Sequence, residues 1–184
     1  MRRSNLKTFA LVLALFASGI CASAQQAGSA KSPAATYVSA ADVQANLSGS
    51  TDAATNPNPN IRVVDAGGYN IAIGTLHRPE TPPGVAAMHH KVTEVYHVLE
   101  GSATLVTGGT IVNSKERPPD TKSVRLEDGP SASGPSIQGG VTQQIKAGDV
   151  IVIPAGTPHW FSKIDGSISY LVVRFDPARL LALK

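Results

Sequence analysis

From Ile61 onward the chain resists a helical reading. Seven segments are rich in β-branched and aromatic residues: IRVVDA (61–66), YNIAIGTLH (69–77), EVYHVLE (94–100), SATLVTGGTIV (102–112), VTQQI (141–145), DVIVIPA (149–155) and ISYLVVRF (168–175). Gly, Pro or Asp separates them, and no helical period of useful length runs between them. Short strands with frequent turns predict an all-β sandwich or barrel. A barrel of roughly 120 residues has room for one core and one pocket.

The chain before Ile61 reads differently. Arg2, Arg3 and Lys7 precede the apolar run FALVLALFA (9–17), and Ala22-Ser23-Ala24 has the form of a cleavage site. This is the pattern of a secretory signal peptide over residues 1–24, and the run is short for a membrane span. Residues 25–60 read as a flexible leader. It carries one short helix, SAADVQANL (39–47), with Ser39 or Asp42 near its start. The domain proper is 61–184, interrupted at 113–140 by a polar stretch rich in Pro, Gly and Ser. That insertion reads as a long excursion between barrel strands, with a short strand at SVRL (123–126).

Charge and cysteine usage narrow the chemistry. The chain has 16 Lys and Arg against 13 Asp and Glu, a net charge of +3. Removing residues 1–24 takes away Arg2, Arg3 and Lys7 and no acid, which leaves the two signs balanced. A nucleic-acid surface is not expected, nor any membrane contact after cleavage. The expected compartment is the periplasm or the exterior. The single cysteine, Cys21, leaves with the signal segment. Thiol catalysis and cysteine-ligated zinc are thereby excluded from the mature chain, and a metal would need nitrogen and oxygen ligands.

Such ligands are concentrated in MHHKVTEVYHVLEG (88–101), which holds three of the five histidines. On a strand Glu94, Tyr96 and Val98 share one face, and Val95, His97 and Leu99 the other. His97 is therefore expected to pack or to face solvent away from Glu94, and His77 to be structural or at a pocket rim. A second stretch, GDVIVIPAGTPHWF (148–161), ends a strand at Pro154, turns at Gly156 and presents His159 at the start of the next strand.

Together the two stretches resemble the paired motifs of the cupin superfamily, G-x5-H-x-H-x3/4-E-x6-G and G-x5-P-x-G-x2-H-x3-N. The second matches from Gly148 through His159, with Lys163 in place of its final Asn. The first matches at Glu94 and Gly101. The resemblance covers roughly residues 61–176. It implies a single jelly-roll barrel with one divalent transition metal (Fe, Mn, Zn, Ni or Co) on histidines and a glutamate, and a homodimer. Carried over, the metal ligands are His90, Glu94 and His159, and the first histidine of H-x-H falls on Met88. Either His89 enters the site through a bulge, or only three residues ligate.

Met88, Tyr96 and Trp160 are the residues expected at the substrate pocket, with Glu94 or His89 as a catalytic proton carrier. The function expected is a metal-dependent enzyme of dioxygenase type acting on a small organic molecule, with isomerase or lyase chemistry next. The alternative is a barrel that binds a small ligand or sugar without turning it over, since fold alone does not establish function.

Overall fold

The computed structural model describes residues 34–49, 60–80 and 84–184. The expected signal segment and most of the leader and its loop lie outside the described residues. Every element below belongs to the unit Thr36–Lys184.

Helix α1 (Ala40–Ser48) starts where Ser39 and Asp42 cap each other reciprocally. Its Asn46 side chain accepts from the Thr75 amide and hydroxyl. The strands are β1 (Asn60–Asp65), β2 (Asn70–Pro79), β3 (Ala86–His89), β4 (Thr93–Thr107), β5 (Thr110–Ile111), β6 (Lys115–Glu116), β7 (Ser131–Gly134), β8 (Ile137–Gln138), β9 (Val141–Lys146), β10 (Val150–Ile153) and β11 (His159–Asp176). All pairings are antiparallel. One path runs β1-β2-β11-β3-β7-β6, while β4 pairs with β11 on one side and with β10 and then β9 on the other. This is an all-β antiparallel barrel, as the strand pattern predicts.

Two long strands organise the barrel. The segments EVYHVLE and SATLVTGGTIV, read as separate strands, are largely one bent strand, β4. Its bend is at Gly101, which has φ +78°. A Cβ there would stand 1.9 Å from the Ser167 carbonyl oxygen of β11, so only glycine allows the two strands to meet. Alternation places Tyr96, Val98, Ala103 and Leu105 of β4 in one core with Ile168, Tyr170 and Val172 of β11, Leu76 of β2, and Phe161. The Tyr96 and Tyr170 rings lie 4.6 Å apart, in the range of favourable aromatic contact.

The 113–140 insertion is more ordered than its composition suggests. SVRL does not form a strand: Val124–Asp128 is a π-helical turn, with Val124, Glu127 and Asp128 buried. Strand β7 then adds to the barrel edge beside β3, in a register that sets Ser131 opposite His89.

Candidate metal centre

The stretch 88–101 is two strands, not one. Strand β3 stops at His89, residues 90–92 leave the ladder, and β4 starts at Thr93. Within β3, alternation turns Ala87 and His89 to the cavity and Met88 away from it. His89 is therefore the inward histidine. His90 lies on the bend, where its Nε2 meets the Glu116 carboxylate at 2.9 Å and its amide donates to the Pro130 carbonyl. It stands outside the cluster that it was expected to join. Met88, half-buried opposite Ala132, does not line the cavity. Tyr96 and Trp160 do.

Three side chains converge from three strands: His89 from the end of β3, Glu94 from β4 and His159 from the start of β11. One ligand atom of each lies within 4.8 Å of the others. Glu94 Oε2 is 3.4 Å from His89 Nε2 and 3.6 Å from His159 Nε2. They are 5%, 1% and 6% exposed, so water screens them little. The turn before β11 locks this arrangement, because the Gly156 amide donates to the His89 carbonyl at 2.7 Å. His159 also pairs in register with Ala87.

Neighbouring groups fix both ring tautomers. The Ser131 hydroxyl donates to the Gly129 carbonyl at 2.7 Å, so its oxygen is left to accept from His89 Nδ1–H at 3.0 Å. His159 Nδ1–H donates to the Thr157 carbonyl at 3.2 Å. Both Nε2 lone pairs thus face Glu94. Outer partners of this kind hold imidazoles in metal sites. The 3.4 and 3.6 Å separations are long for charge-assisted hydrogen bonds, which run about 2.7–2.9 Å. They are close to the roughly 3.0–3.4 Å between ligands that share one ion at about 2.1 Å. The residues present fit a metal.

The local field agrees. Burial would raise the Glu94 carboxyl, but His89 and Arg174 outweigh it and hold it well below the usual carboxylate range. Burial, then the neighbouring His89, pushes His159 down to about 4, so it is neutral near pH 7 and able to ligate. Burial would also lower His89, yet Asp128 and Glu94 together raise it. A site that draws a proton to Nε2 draws a metal cation for the same reason.

Around the three donors stands a charged frame. Arg174 Nε donates to Glu94 Oε1 at 2.9 Å, and the Tyr96 hydroxyl donates to Oε2 at 2.7 Å. Asp128 takes Arg117 at 2.9 Å and lies 3.7 Å from Arg174. Burial is the largest cause lifting Glu127 to about 7, and no hydrogen bond reaches its carboxyl among the described residues. The cavity that these groups line has a volume of about 380 Å³. The exposed Gly84 and Val85 are at its mouth, where the Trp160 indole donates to the Gly84 carbonyl at 2.6 Å.

The family model described as Cupin matches residues 55–178. The chain belongs to the cupin family. No curated protein matches it. Among solved structures, this cupin is similar to the protein BH2720 of Bacillus halodurans at 13% identity and a TM-score of 0.43. The match covers 77% of this chain and 81% of that one. A predicted oxalate decarboxylase of Thermotoga maritima is 14% identical with a TM-score of 0.35, covering 62% and 90%. The dimethylsulfoniopropionate (DMSP) lyase DddQ of Ruegeria pomeroyi is 17% identical with a TM-score of 0.37, covering 58% of this cupin and only 38% of the lyase.

With x4 spacing before Glu94, the H-x-H of the cupin motif falls on Ala87-Met88-His89. The departure is thus Ala87, which faces the cavity where that histidine would stand. Sequence reasoning also passed over Arg174, Arg78, Glu127 and Asp128. For Arg174 a signal was present: it falls on the same strand phase as Ile168, Tyr170 and Val172, where a charge demands a partner. The two acids gave no such signal, because a π-helical turn has no readable period. His97 is exposed on the outer phase, and His77 Nδ1 meets the Ser169 hydroxyl at 2.9 Å.

Proposed function

We propose that this cupin holds one divalent transition metal on His89, Glu94 and His159 and is a metal-dependent enzyme of dioxygenase type acting on a small organic molecule. The carrying observation is the convergence of two imidazole nitrogens and one carboxylate oxygen beside an accessible cavity. Two histidines and one carboxylate are the donor set of the non-haem iron facial triad. When bound, the metal supplies Lewis acidity and open positions for substrate or dioxygen. Arg174 and Tyr96 hold the Glu94 carboxylate in place. Leu76, Phe161 and Ile164 give the cavity a dry wall.

His89 and Glu94 act here as ligands, and Glu127 is the group left to hold or release a proton at its carboxyl. That acid also supports isomerase or lyase chemistry as the second reading, since either needs a proton carrier near neutral pH. Residues 1–24 are read as an export signal on their charge and apolar pattern. N-terminal sequencing of the exported protein should then begin at Gln25.

Nitric oxide is a test that needs no substrate. Iron-loaded protein with open positions should bind it, with a paramagnetic resonance signal that is lost in His159→Ala. Iron-loaded protein silent to nitric oxide would leave the non-catalytic binding barrel as the better reading.

A further inference from the structure

Arg78 is the one guanidinium of the cavity with no carboxylate at ion-pair distance among the described residues. It shares the inner phase of β2 with Leu76, and both line the cavity. Its Nε–H donates to the Tyr170 hydroxyl at 2.9 Å. The guanidinium carbon lies 5.5 Å from the centre of the Phe161 ring and 6.0 Å from that of Tyr170. The two ring contacts and the Tyr170 bond hold the group in place. Of the five donors of an arginine, four remain without a hydrogen bond to the described residues.

The other two guanidiniums are occupied: Arg174 by Glu94 and Asp128, Arg117 by Asp128. Glu94 and Asp128 are thereby neutralised, and Glu127 titrates near 7. Arg78 is half-buried and its charge is left over. A divalent ion on the three donors would add two more positive charges. A half-buried cation with no carboxylate at ion-pair distance leaves its charge and donors to an arriving anion. A planar fork of donors suits a planar carboxylate.

We propose that Arg78 is the substrate's anchor and that the substrate is a small organic carboxylate, bound in the cavity beside the metal centre. The proposal rests on the metal reading for the second anchor point. The competing reading of Arg78 is a structural cation held against two aromatic rings, a contact that needs no ligand.

The two readings separate by calorimetry on the mature protein loaded with manganese. The probes are acetate, malonate and benzoate, each beside its uncharged amide, and inorganic phosphate. At least one acid should bind ten or more times tighter than its amide. Arg78→Gln should abolish that preference and Arg78→Lys keep part of it, both with wild-type metal content. Equal binding of acids and amides, no binding of any acid, or a preference that survives in Arg78→Gln would overturn the anchor. Phosphate bound tighter than every acid would overturn the carboxylate assignment. Metal content measured on the same samples keeps the two readings apart. An Arg78-dependent preference in protein that takes up no metal upholds the anchor and sinks the metal. Stoichiometric metal without the preference does the reverse.

Discussion

At the scale of single residues, Glu94, Asp128 and Arg174 are charges that stay buried because each has a partner. Glu94 is 1% exposed and depends on Arg174. Arg174→Met should destabilise the metal-free protein by about 3–5 kcal/mol in urea unfolding, the usual effect of stranding a buried charge. A loss below about 1 kcal/mol would mean that Glu94 carries no charge there. Glu127 makes the opposite case. Burial lifts it to about 7 in the folded chain against about 4.5 when exposed. Between those values the folded state binds the extra proton, so stability falls as pH rises through that window, by about 3 kcal/mol in all. Glu127→Gln should remove this slope. Its melting temperature should exceed that of the wild type at pH 8 and match it near pH 4.5. Parallel curves for the two proteins would contradict the assignment.

At the scale of elements, strand phase decides which histidine enters the site. Gly101 and Gly156 were legible as turn glycines, and Glu94, Tyr96 and His159 as inward groups, because each lies within or just after a continuous run. The choice between His89 and His90 was not legible. Residues 90–92 leave the ladder, and a period of two does not carry across a bend. The insertion was opaque for a related reason. SVRL alternates as a strand does, yet here it forms a π-helical turn that aims Glu127 and Asp128 at the cavity. Two outcomes belong to this scale. Gly101→Ala, at φ +78° and 1.9 Å from a backbone oxygen, should lower stability by at least about 1–3 kcal/mol. Ser131→Ala removes the acceptor that β7 offers His89 Nδ1. It should weaken metal binding by about 10–100-fold in a chelator competition titration. Unchanged affinity would show that the tautomer is set elsewhere.

At the scale of the whole molecule, the chain is a cupin barrel whose charged groups gather on the inner wall. The jelly roll was readable from strand count and the two motifs. The ion-pair frame was not, since its members come from β4, β11 and the insertion, and meet only when the barrel closes. A filled site should also stabilise the fold, by about 2.7 kcal/mol at a free metal concentration one hundred times Kd. The most direct test of the metal centre is elemental analysis of the mature protein, purified without a metal-carrying tag, beside His89→Ala and His90→Ala. The account predicts near one equivalent of transition metal, lost in His89→Ala and kept in His90→Ala. Metal kept in His89→Ala and lost in His90→Ala would contradict it, as would no metal in any of the three after reconstitution.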